Sequence, residues 1–183
     1  MTAEVLRRAP LDGVRLPGFA VERPFLTHLT LRLRGAHTEV ATALGVPLPE
    51  TPCTFTSGNS LDVLWMGPDE YLIISDADHR ELEPLVRGTI SGATGAVCDV
   101  SAQRTTVTLS GPVVRDVLAH GCSIDLHPSV SPPGTCVQTL LARTGIVLLV
   151  RENDEFTVLV RSSFAEYFAA WLVDASVEYE EVP

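Results

Sequence analysis

The chain has 183 residues, with 13 basic and 23 acidic side chains and a formal net charge of −10, long enough to bury a sizeable core as one large or two small domains sharing an interface. That negative balance, with no basic run to offset it, argues against a nucleic-acid partner. The longest apolar stretches, residues 146–150 and 168–173, fall far short of the roughly 20 residues that a membrane span needs.

Every basic residue is Arg and none is Lys, so Schiff-base or general-base chemistry at a lysine is excluded. No apolar run or small-residue cleavage site follows Arg7 and Arg8, so the N-terminus reads as that of a cytoplasmic protein. Residues 1–24 form an extended N-terminal arm, because Pro10, Pro17 and Pro24 interrupt any helix. Phe25–Arg34 alternates Leu29, Leu31 and Leu33 with Thr30, Arg32 and Arg34, the period of a half-buried strand. Gly35 ends it, and Val40, Ala43 and Leu44 are spaced for a short helix. Residues 47–52, with three prolines, read as a surface connection.

Leu61–Met66 and Glu70–Ser75 are predicted strands joined by a Gly67-Pro68-Asp69 turn. A helix with an aspartate cap is expected over Asp76–Ile90, then strands over Ala96–Ser101 and Arg104–Ser110. Pro112 opens a helix whose stripe of Val113, Val114, Val117 and Leu118 runs to Gly121. Residues 122–133 show no period, and Pro128, Pro132 and Pro133 keep them irregular. Three strands, Val137–Ala142, Ile146–Val150 and Phe156–Val160, precede a helix through Phe164, Phe168, Trp171 and Leu172.

These elements recur. Leu31-Arg32-Leu33-Arg34-Gly35 matches Val107-Thr108-Leu109-Ser110-Gly111, each before a short helix, and the run from Asp69 to Ser75 matches that from Asp154 to Val160. The reading is an α+β fold of two ferredoxin-like split βαβ modules, residues 25–101 and 102–183, each an antiparallel sheet covered by helices. Ala96–Ser101 and Val177–Tyr179 are the expected closing strands. Leu29, Leu31, Leu33, Ile73, Val107, Leu109, Leu140, Val158, Val160, Phe168 and Trp171 are the expected core.

Motifs for chemistry are scarce. No Gly-x-Gly-x-x-Gly follows a strand, and residues 121–125 begin like a nucleophile elbow but lack its second glycine. Ser123, Asp125 and His127 are too close in sequence to converge as a triad. Gly121 suits a left-handed helix end, and His120 the negative end of the helix dipole. Asp125, between Ile124 and Leu126, requires Arg104, Arg143 or water as a partner. His28 falls on the polar side of its strand, and His37 and His79 at helix starts. Cys53, Cys98, Cys122 and Cys136 lack metal-ligand spacing, and Cys122 is the one thiol placed for reactivity. No catalytic, cofactor-binding or metal-ligating residue is expected in this chain.

One long set of residues carries a resemblance: 99–106 (Asp-Val-Ser-Ala-Gln-Arg-Thr-Thr), 109–112, 115–118, 121–128, 138–143 and 159–165, together with 64–71. In order and spacing, over about residues 25–175, it resembles the gamma subunit of heterotetrameric sarcosine oxidase. The resemblance implies a trimmed form of the aminomethyltransferase fold of the glycine cleavage system. It further implies alpha, beta and delta partner subunits in which FAD, FMN, NAD and tetrahydrofolate reside. The complex then oxidises sarcosine to glycine, passes the one-carbon unit to tetrahydrofolate and forms hydrogen peroxide.

On this reading the chain is a non-catalytic subunit, and the irregular segment supplies its partner interface through Arg104, Cys122, Ile124, Asp125, Leu126, His127, Pro128 and Val130. Two alternatives stand beside it. One is a free-standing folate-binding one-carbon transferase. The other is a small-molecule-sensing module, whose mark is a polar pocket between the two halves.

Overall fold

In a computed structural model, which describes residues 7–179, the chain builds two five-stranded antiparallel sheets packed face to face. The first sheet takes β2 (Thr27–Arg34), β3 (Phe55–Gly58), β4 (Leu61–Gly67), β5 (Glu70–Ser75) and β6 (Thr94–Asp99), in the order β3-β4-β5-β2-β6. The second takes β1 (Ala20–Arg23), β7 (Arg104–Ser110), β8 (Cys136–Leu141), β9 (Thr144–Val150) and β10 (Glu155–Arg161), in the order β1-β7-β10-β9-β8. Helices α1 (His37–Leu44) and α2 (His79–Thr89) belong to the first half, and α3 (Val114–Ala119) and α4 (Ala165–Ala175) to the second.

Strand alternation sorts the side chains into three apolar layers. Leu29, Leu31, Leu33 and Ile73 pack against Val40, Leu82 and Val86 of α1 and α2. Val107, Leu109, Val158 and Val160 pack against Val117, Phe168 and Leu172 of α3 and α4. The intervening strand positions, Leu64, Leu72 and Ile74 from one sheet and Val147, Leu149 and Leu159 from the other, form the seam between the sheets. The order of layers is helices, sheet, sheet, helices. Helix α1 ends at Gly45, whose φ of 67° brings its N–H back to the carbonyls of Ala41 and Thr42, a left-handed cap that glycine adopts without strain.

The two sheet orders correspond strand for strand, β6-β2-β5-β4-β3 against β1-β7-β10-β9-β8. The expected closing strand of the second half is therefore displaced. Val177–Tyr179 is a 3-10 turn, and the edge beside β7 is filled from the other end of the chain by β1, paired antiparallel from Ala20↔Leu109 to Arg23↔Thr106. Within the extended arm, Ala20–Arg23 is an edge strand of the second sheet. Leu11 and Ala20, both buried, enter the second core with it. The first half also gains β3, a strand that the polar Thr56 and Ser57 concealed.

Other expectations shift for local reasons. Leu140 is 51% exposed, because its strand face runs past the rim of the opposite sheet. Trp171 is half-buried against the second core. His28 is 1% exposed: its face is polar, but that face meets the other sheet and not water. Asp78 is the α2 cap, accepting a hydrogen bond from the Arg80 backbone N–H at 2.8 Å. Gly121 does not have positive φ among the described residues; its need for glycine is steric, since a Cβ there would stand 2.6 Å from Trp171 Cζ2.

Candidate functional site

The segment from Cys122 to Thr135 leaves α3 and enters β8, its backbone held by its own half and, at its end, also by the first half, where the Phe55 N–H donates to Gly134 O at 3.2 Å. The Cys122 and Ser123 N–H groups donate to Leu118 O and Leu140 O at 2.8 and 3.2 Å. Asp125 Oδ1 accepts from the His127 backbone N–H at 2.8 Å, and Ser131 Oγ donates to Asp125 O at 2.6 Å. Arg115 on α3 donates to the Leu126 carbonyl, reaches Asp154 Oδ1 at 2.9 Å and lies over the Phe156 ring at 5.0 Å. Arg115 thus ties the irregular chain to α3, to Asp154 and to a ring face with one multi-donor side chain.

This bracing divides the predicted interface residues. Leu126 is buried at 4% exposure and half-buried Ile124 packs on the same core, so both turn toward their own module. Cys122 is half-buried, bridged to Leu141; burial pushes its thiol pKa up, which opposes the reactivity expected of it. Asp125, His127, Pro128 and Val130 lie on the surface, Val130 at 59% exposure. Among the described residues Asp125 makes no ion pair with Arg104 or Arg143, and its carboxylate closes a local turn instead. His127 Nδ1 is hydrogen-bonded to Ser129 Oγ at 2.7 Å, so Ser123, Asp125 and His127 form no triad. Arg104 lies at the start of β7 opposite Arg161 of β10, where it lines a cavity together with Ser123 of the segment.

Sequence reasoning missed the cleft at the other end of the sheet seam. A cavity of about 310 Å³ is lined by Ser57, Asp62 and Asp76 of the first half and Thr106, Arg151 and Thr157 of the second. Its charges are paired internally. Arg151 holds Asp62 Oδ2 at 2.6 Å and Thr157 Oγ1 at 2.7 Å, and Arg23 holds Asp76 Oδ1 at 2.9 Å. No aromatic side chain among the described residues lines it. Among the described residues no group of three or more His, Cys, Asp or Glu side chains could hold a metal ion, and no helix is long and apolar enough to cross a membrane.

Comparison with known proteins places this architecture. The profile of the sarcosine oxidase gamma subunit family matches residues 34–178. The sarcosine oxidase subunit gamma of Corynebacterium sp. strain U-96 is 34% identical over 162 residues, covering 86% of this chain and 78% of the relative. A chain of the solved heterotetrameric sarcosine oxidase from Corynebacterium sp. U-96, in complex with pyrrole 2-carboxylate, superposes with a TM-score of 0.87 at 31% identity, covering 97% of this chain and 98% of that one. The glycine cleavage system aminomethyltransferase T of Bartonella henselae superposes with a TM-score of 0.63 at 13% identity, covering 84% of this chain and 45% of that one, a likeness of fold alone.

Proposed function

The chain belongs to the sarcosine oxidase gamma subunit family, and on that premise we propose that it is the non-catalytic small subunit of a heterotetrameric sarcosine oxidase. The observation that carries the proposal is the superposition over 97% of this chain and 98% of a chain of the solved complex. In the proposed assembly the chain docks on large alpha and beta subunits, with a delta subunit completing the tetramer. FAD, FMN, NAD and tetrahydrofolate bind in those partners, which oxidise sarcosine to glycine, pass on the one-carbon unit and form hydrogen peroxide.

The chain's own contribution is a rigid surface. Two sheets locked through an apolar seam, and an irregular segment clamped by Arg115, present fixed side chains to a partner without a large ordering cost on binding. The cleft between the sheets supports the small-molecule-sensing alternative less well, because its carboxylates already hold Arg23 and Arg151. A ligand there would have to displace ion pairs that are formed without it.

Co-expression of the chain with the three partner subunits tests the reading. A purified complex of defined stoichiometry that forms peroxide from sarcosine is the expected result, with the chain alone colourless and inactive. Flavin absorbance or sarcosine turnover by the isolated chain, or failure of the wild-type chain to co-purify, would overturn it.

A further inference from the structure

The inner face of the second sheet is longer than the first sheet that covers it. On β10, Thr157 and Leu159 face the seam, and on β7, Thr106 does so. Two residues further along each strand the same face presents Arg161 and Arg104, which are register partners. Cys136 places β8 in the same phase, so Gln138 and Leu140 also point from this face, and both are exposed. Together with Ser123 these side chains line a cavity of about 490 Å³. Gln138 is held by a hydrogen bond from its Nε2 to Met66 O at 3.0 Å, across the seam.

Two like charges directly opposite on adjacent strands repel. Arg104 is half-buried, and burial, then the charge of Arg161, hold its guanidinium below the usual basicity. Among the described residues seven arginines are ion-paired with carboxylates, and neither Arg104 nor Arg161 is one of them. In a chain with ten more acidic than basic groups, this pair makes no ion pair with an acid among the described residues.

We propose that Arg104 and Arg161 form an anion site that receives an acidic side chain of a large partner subunit, with the exposed Leu140 as its apolar neighbour. The inference rests on the functional reading above and names the chemistry of that docking surface. Paired guanidinium groups present forked donors suited to a carboxylate, and a central arginine beside an apolar anchor is the usual make-up of a strong contact. The apolar side continues from Leu140 through its turn, where the Arg143 N–H donates to Tyr167 Oη at 3.3 Å. Tyr167 in turn stands edge to face with the exposed Phe164, three residues beyond Arg161. A free small anion would make no use of that rim. A second copy of the chain, at net charge −10, is repelled at long range, which leaves a different chain as the source of the acid.

The test uses Arg161→Gln, Arg104→Gln and, as a matched change of one charge elsewhere, Arg80→Gln on α2. Association of each purified chain with the other subunits is measured at low and high salt, with the melting temperature of each chain alone. Arg161→Gln and Arg104→Gln are expected to associate roughly tenfold or more weakly and to lose the salt dependence of the wild type. They should also melt at the same or a higher temperature, because a repulsion is relieved, a combination that a merely structural role would not give. Arg80→Gln should match the wild type in all three measurements. Wild-type affinity in both Arg161→Gln and Arg104→Gln overturns the site while leaving the functional reading intact, whereas absence of assembly by the wild type overturns both. Stabilisation of the isolated wild type by inorganic phosphate, lost in Arg161→Gln with assembly unchanged, assigns a free anion instead. Concentration-dependent self-association that Arg161→Gln abolishes, with assembly unchanged, assigns a second copy, and either result overturns the partner assignment.

Discussion

His28 Nε2 lies 3.1 Å from Thr106 Oγ1 in the seam between the sheets, while His28 Nδ1 is buried with no hydrogen-bond partner among the described residues. Burial, and after it the charge of Arg104, pulls the imidazole pKa down from 6.5 to about 4, with Asp99 opposing. The unfolded chain therefore binds a proton at His28 between those values that the folded chain does not. This contribution to stability is full above pH 6.5 and is lost as the pH falls toward 4, on the order of 3 kcal/mol in all. Denaturant melts of wild type and His28→Gln across this range should converge on acidification, because glutamine does not titrate. Parallel pH curves would contradict the assignment.

Gly121→Ala places a Cβ against the Trp171 indole, at 2.6 Å from Cζ2, and near the Ala142 backbone N. Forced overpacking of this kind costs about 1–3 kcal/mol. The isolated chain should melt at a lower temperature, and Trp171→Phe should recover part of the loss in the double variant by removing the clashing ring atoms. Equal losses in the presence and absence of the indole would place the strain in the backbone.

Removing the chain through Arg23 uncovers the β7 edge and takes Leu11 and Ala20 from the second core. An unpaired edge strand templates intermolecular pairing. Size-exclusion chromatography should show aggregates where the intact chain runs as a discrete species, and a well-behaved truncated monomer would mean that β1 is dispensable.

Leu126 and Val130 lie four residues apart in one irregular segment yet should respond oppositely to aspartate. Leu126→Asp buries a charge in the second core, a loss on the order of 3 kcal/mol or more. Val130, at 59% exposure, should accept aspartate with a melting temperature close to wild type. Thermal melts of the two single variants separate the residue that holds the segment from the one it displays.

Strand and helix phases were legible because alternation and helical spacing are local. Leu29, Leu31 and Leu33, like Val158 and Val160, needed only their neighbours to reveal which face is apolar. The internal match of residues 69–75 with 154–160 extended that legibility to two modules of the same kind, and the run from Asp99 to Thr106 to the family. What strand periodicity does not encode is what covers a face. His28 and Leu140 both follow the alternation, yet a polar side chain is buried and an apolar one exposed, because the second sheet overlies the first at His28 and runs beyond it at Leu140. Edge pairing is likewise a three-dimensional choice: β7 takes Ala20–Arg23 from the far end of the chain, while Val177–Tyr179 coils into a turn. The adjacency of Arg104 and Arg161, 57 positions apart in the chain, exists only because the β7–β10 register sets them opposite each other. Composition and spacing thus determined the elements and their kinship, and the packing of sheet on sheet decided which of their side chains are left to meet another molecule.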